Sequence, residues 1–245
     1  MRALALAAAF ASAIAPAAAS DAWGGVPVLM YHKVDPVVPS DAVGRDLTVA
    51  PQAFAAQLQW LRAHGIRTMT AAQLADALIA RRRPQHAVVL TFDDGYDDAA
   101  TTVLPLLEKY GATATFYVSA GFVGTPRHLS WKQMRALRAA GMEVACHGTF
   151  HLDLSTLDLA GQLGEAKHCM DAFARYLGGP APYTYAYPAG KYDDVTFSVM
   201  RRLGVRAAFT EIPGAVTSLE KPYVLPRRRI RRDDSLAQFG SLATP

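Results

Sequence analysis

The sequence predicts an α/β fold, a parallel sheet with helices packed outside it. Three observations carry that expectation. Short apolar runs of strand length recur along the chain, stretches with helical spacing lie between them, and five of those stretches end on glycine. Strands that alternate with helices pair in parallel, because each return to the sheet needs a crossover. Seven such units favour a closed or nearly closed barrel, and an open doubly wound sheet fits almost as well. Both architectures place chemistry at the C-terminal ends of the strands.

The elements follow in order. Val26 to Tyr31 is the first buried strand, and Pro51 to His64 is a helix stopped by Gly65. Ile66 to Met69 is the weakest strand and leads into a helix over Ala71 to Ala80. Ala87 to Phe92 is a strand, followed by a helix from Asp98 to Tyr110 that ends at Gly111. Thr113 to Val118 and Glu143 to Cys146 are strands flanking a helix over Trp131 to Ala140, which ends at Gly141. Leu159 to Leu177 is a long helix closed by Gly178, and Tyr183 to Tyr187 is the next strand. Asp194 to Leu203 is a helix ending at Gly204, and Val205 to Thr210 is the last strand. Glycine suits each stop because a helix commonly ends in a left-handed residue.

Composition narrows the class. Of 245 residues 51% are hydrophobic, enough for a sizeable core and too many for a disordered chain. The net charge of +4 is mild. Arg81-Arg82-Arg83 and the run from Arg227 to Arg232 carry no interleaved aromatics and read as solvated faces at element ends. A nucleic-acid partner is not expected.

The first twenty residues decide the compartment. Arg2 is their only charge, an Ala/Leu-rich run follows, and Ala17-Ala18-Ala19-Ser20 ends it, the pattern of a secretory signal peptide. Pro16 interrupts the run, which is short for a bilayer span of about 20 residues. The expectation is a signal peptide over residues 1–20 and one domain over 21–245, periplasmic or secreted, with no membrane span in the mature protein. Cys146 and Cys169 are the only cysteines; export permits a disulfide, and two buried thiols fit equally well.

Two motifs carry chemistry. Thr91-Phe92-Asp93-Asp94-Gly95 sets adjacent carboxylates at a strand end, where burying both is costly unless something positive compensates. As the alternative, they cap the helix that follows. His147-Gly148-Thr149-Phe150-His151 follows another strand, and two imidazoles four apart can reach one ion. Gly148 stands where the zincin pattern needs glutamate. Asp94 supplies the third ligand this pair lacks. Two histidines and one carboxylate with an open position suit a divalent ion, zinc first among them.

Together these motifs resemble the polysaccharide deacetylase family, the NodB-homology domain of carbohydrate esterase family 4. Leu29-Met30-Tyr31-His32, Leu129-Ser130-Trp131, Ala186-Tyr187-Pro188-Ala189-Gly190 and Leu225-Pro226-Arg227 extend the likeness over nearly all the mature chain. The opening M-Y-H and A-Y-P-x-G resemble the branch that deacetylates poly-N-acetylglucosamine. The resemblance implies a distorted (β/α)7 barrel and an N-acetylated polysaccharide as substrate. It implies Asp93 as catalytic base, Asp94, His147 and His151 as metal ligands, and the Ala189 N–H as oxyanion donor.

The chain also departs from the family. The late Leu-x-His that serves as acid in many members is missing, since no histidine follows His168. His32 is the natural substitute, with a loop-bonded structural histidine as its alternative. Ala186 replaces the arginine that often pairs with the base, so Asp93 must be tuned by something else. Gly148 replaces a Ser or Thr that bonds within the ligand loop, and Ala189 replaces a common aromatic. Tyr187 and Trp131 are candidates to stack on sugar rings, or are packing residues. Competing functions on this pattern are a deacetylase of peptidoglycan, chitin oligomers or O-acetyl esters, and a glycan-binding module without activity.

Overall fold

A computed structural model describes residues 23–245; the expected signal peptide over residues 1–20 lies outside the described residues. The expected strands form as β1 (Val26–Tyr31), β2 (Arg67–Met69), β3 (Ala87–Phe92), β4 (Thr115–Val118), β5 (Glu143–Cys146), β6 (Thr184–Ala186) and β7 (Ala207–Phe209). Between and after them run α1 (Pro51–Ala63), α2 (Ala71–Ile79), α3 (Leu104–Tyr110), α4 (Trp131–Ala139), α5 (Leu159–Leu177), α6 (Asp194–Arg202) and α7 (Leu236–Ala243). The anticipated stops Gly65, Gly111, Gly141, Gly178 and Gly204 all have positive φ.

The sheet curls in the order β1-β3-β4-β5-β6-β7, all parallel, with β2 sharing one side of β3 with β4. An irregular segment closes it. The Leu225 N–H donates to Ala208 O at 3.0 Å and the Thr210 N–H to Leu225 O at 2.9 Å. Arg228–Arg229 then pairs in parallel with Leu29 and Met30 of β1. The result is a barrel distorted at its seam, and the open-sheet alternative does not hold. Ala215–Val216 adds an antiparallel pair outside β1.

Period-2 alternation sorts the strand residues. Val28, Val89, Tyr117, Ala145, Ala186, Phe209 and Leu225 share one buried cluster inside the barrel. Leu29, Tyr31, Leu90, Phe92, Phe116, Val144, Cys146, Tyr185 and Tyr187 share another, between sheet and helices. Continuing the inner set past each strand end reaches His32, Asp93, His147 and Arg227.

Two stretches differ from expectation. The helix expected from Asp98 begins as a π-helical segment, Ala99–Val103, before α3. Pro105 accounts for this, because its ring crowds the carbonyl four residues back and a wider turn relieves the clash. The helix α7 was not anticipated, although Ser235 and Gln238 form a reciprocal capping box at its start. Among the described residues, no helix is long and apolar enough to cross a membrane.

Candidate metal centre and catalytic site

After β3 the chain turns sharply. Asp94 has φ 71 and Gly95 φ 81, and any side chain at position 95 runs into Val118. A left-handed non-glycine residue costs roughly 1–2 kcal/mol, so the turn is held by its surroundings. It sends the Asp93 side chain down into the barrel and lifts Asp94 towards the mouth.

The two histidines come from the β5 end. Nδ1 of His147 lies 2.8 Å from the Ala186 carbonyl oxygen. A carbonyl only accepts, so Nδ1 donates and the Nε2 lone pair is left facing Asp94. His151 reaches the same point through a loop in which Gly148 has φ 78 and His151 φ 57. Cys146, the residue before His147, is disulfide-bonded to Cys169 on α5, which decides between the two readings of that pair.

Asp94 Oδ1 lies 3.5 Å from His147 Nε2 and 3.3 Å from His151 Nε2. One ligand atom from each residue falls within 4.8 Å of the others. A tetrahedral shell with bonds of about 2.0–2.1 Å separates its ligand atoms by about 3.3 Å, so the spacing fits a zinc-sized ion. The chemistry fits too: Asp94 Oδ1 is buried and makes no hydrogen bond. Burial alone would raise the Asp94 pKa, but the facing imidazoles of His147 and His151 bring it well below the usual carboxylate range. The Asp94 carboxylate in turn raises His151, against burial. An ion entering here must displace the proton that this raised pKa favours.

Asp93 faces the other way. Its carboxylate receives Arg227 Nη1 at 2.8 Å and Nη2 at 2.7 Å, a bidentate pair with both side chains buried. Burial raises the Asp93 pKa; Arg227, with His147, outweighs it and leaves the carboxyl below its ordinary value. Arg227 is fixed in turn, its Nε donating to Thr210 O at 2.9 Å.

Residues 80–208 match the family model described as polysaccharide deacetylase, more than half of the chain and all four motif residues. The chain belongs to the polysaccharide deacetylase family. A relative in Bacillus subtilis (strain 168), the polysaccharide deacetylase homologue YxkH, is 29% identical over 217 residues, covering 88% of this chain and 75% of its own. The poly-beta-1,6-N-acetyl-D-glucosamine N-deacetylase of Staphylococcus aureus is 24% identical over 202 residues, 77% of this chain and 70% of its own. Among solved structures, the Streptococcus pyogenes deacetylase PplD in complex with acetate aligns with TM-score 0.84 at 29% identity, over 90% of this chain and 99% of that one. IcaB from Ammonifex degensii aligns with TM-score 0.78 at 26% identity, over 91% and 98%.

His32 sits just past β1, and its Nδ1 is buried without a hydrogen-bond partner. Its alternative as a loop-bonded histidine gains nothing from that nitrogen. Burial lowers its pKa more than Asp93 and Asp94 raise it, so the neutral imidazole is favoured. Ala189 is exposed, at φ 50, in the short turn Pro188–Gly190. Tyr187 is not a sugar platform: its ring is fully buried against Tyr185 and Tyr192, and its hydroxyl donates to Tyr223 O. Trp131 packs on Phe173 and Tyr176 of α5, as a packing residue does.

Three residues were missed. Arg227, expected on a solvated face, is 1% exposed because it is spent on Asp93; it answers the loss of arginine at Ala186. Phe150, between the two motif histidines, is 58% exposed and seated on Gly121. Glu165 of α5 reaches into the ligand loop.

Proposed function

We propose that the protein is an exported, metal-dependent N-deacetylase of N-acetylglucosamine units in a polysaccharide, with zinc the best fit to the site. The observation that carries the reading is the pairing of two differently served aspartates at one barrel mouth. Asp94 turns a buried, unsatisfied oxygen towards two imidazoles, and Asp93 is held ionised by Arg227. The Staphylococcus aureus relative, named for poly-beta-1,6-N-acetyl-D-glucosamine, supports that glycan as first choice. The signal-peptide pattern of the sequence supports export.

Asp94, His147 and His151 would hold the ion, which supplies Lewis acidity for the acetyl carbonyl and lowers the pKa of water. Asp93 takes the proton of the attacking water as the new C–O bond forms. The Ala189 N–H donates to the developing oxyanion. His32 delivers a proton to the amide nitrogen as the C–N bond breaks, releasing acetate and leaving an amine on the sugar. Phe150 takes the platform role expected of Tyr187 and Trp131, offering an open aromatic face beside the ligands.

Acetate release from poly-N-acetylglucosamine, peptidoglycan, chitin oligomers and an O-acetylated glycan tests the substrate. The largest kcat/KM is expected on the first, and His147→Ala/His151→Ala should lose both the ion and the activity. Full metal content in that double variant would sink the site. Release only from O-acetyl esters would replace the amide reading by an esterase.

His32 gives a separate expectation. Because its folded pKa is lowered, the protonated acid is present only below the usual imidazole range. Amide hydrolysis should therefore decline on the alkaline side of the profile at a lower pH than an ordinary histidine gives. His32→Ala should keep the ion and slow amide hydrolysis about 10²-fold or more, while an activated ester, whose leaving group needs little protonation, loses less. Equal losses on both substrates would assign His32 to positioning.

A further inference from the structure

The two histidine ligands are anchored in different ways. His147 is fixed independently: its N–H donates to Val118 O at 3.0 Å, its ring to Ala186 O, and its neighbour Cys146 is tied to α5. His151 is a third exposed and reaches the site on a loop with two left-handed residues. That loop closes around one atom. Glu165 Oε1 accepts the N–H of Thr149 at 2.9 Å, of Phe150 at 2.6 Å and of Leu152 at 3.3 Å. The Thr149 hydroxyl donates to the Glu165 carbonyl oxygen at 2.7 Å. Glu165 itself is 6% exposed.

We infer that Glu165 is the positioning residue for His151: its carboxylate folds the ligand loop around itself and so sets where the second imidazole meets the ion. Converging backbone N–H groups form a nest for an anion, and here the anion is a side chain of the neighbouring helix. Gly148 completes the arrangement. A Cβ at that position comes within 2.8 Å of Glu165 Oε1, so the loop closes only over glycine. A hydroxyl at position 148 would bond inside the loop; here the carboxylate does that work from outside it. The inference rests on the metal-site reading above.

The test is titration of the purified protein with Zn2+ against a competing chelator, with circular dichroism to confirm folding. Partners that orient metal ligands are typically worth about 10–100-fold in affinity. Glu165→Ala is expected to weaken Zn2+ binding by that factor. Glu165→Asp, which keeps the charge but retracts the acceptor, should follow it and is the gentler change to the fold. Glu165→Gln, which keeps an acceptor oxygen in reach, should recover most of the affinity. In a His151→Ala background the same Glu165 changes should add nothing, since their effect passes through that ligand. Wild-type affinity in folded Glu165→Asp, or a loss that adds fully to His151→Ala, overturns the inference alone. Wild-type protein that takes up no Zn2+ overturns the metal reading itself, and this inference with it.

Discussion

Replacing Asp93 with asparagine is expected to leave the ion bound and to slow acetate release by about 10²–10⁴-fold, the usual contribution of a general base. The amide keeps the carboxylate's shape and one acceptor for Arg227, at a cost in stability because the buried guanidinium loses its counter-charge. What it loses is the ability to take a proton. The neighbouring position is a different case, since Asp94 alone faces both imidazoles. Metal analysis beside initial rates separates the two roles, and loss of metal in step with activity would reverse them. Arg227 holds Asp93 below the ordinary carboxylate range. The acid limb of the wild-type profile is therefore expected at or below that range, leaving the base charged across neutral pH.

The second large effect is on stability. Arg227→Met should destabilise the protein by about 3–5 kcal/mol, because removing one partner of a buried pair leaves an uncompensated charge. Denaturant unfolding at neutral pH measures it. The pH dependence has a definite sign. The depressed pKa of Asp93 means the pair stabilises fully above the unfolded pKa and loses its contribution as pH falls through the folded pKa. Wild-type and variant stabilities should therefore converge in acid. In Arg227→Met the burial of Asp93 is opposed only by His147 and His32, its pKa rises, and what activity survives should need a higher pH. Adding Asp93→Asn should restore part of the lost stability, since no buried charge remains. A variant as stable as wild type at neutral pH would mean that Asp93 is neutral in the folded protein.

Much of this site was legible along the chain. Asp94, His147 and His151 sit in two short motifs directly after apolar strands, where local spacing suffices. Arg227 was not legible in the same way: it lies 134 residues from Asp93 and inside an arginine run. Its signal was alternation, for Leu225 belongs to the inner cluster and Arg227 is two residues further on. Tyr187 was open to the same test. Ala186 faces inward, so its neighbour must lie under the helices, where Tyr187 is found. Glu165 gave only a helical hint, since it shares the buried stripe of α5 with Gln162, Ala166, Cys169 and Met170. Which amides it would meet depended on a loop conformation that no periodicity describes.

The barrel seam has a consequence in time. Arg227 rides on the segment that joins β7 back to β1, so the charge that ionises Asp93 is synthesised 134 residues after it. Until that segment docks, Asp93 lacks the bidentate guanidinium that chiefly offsets its burial. A chain broken off after Leu225 would keep Asp94, His147 and His151 yet lack the guanidinium that holds Asp93 ionised.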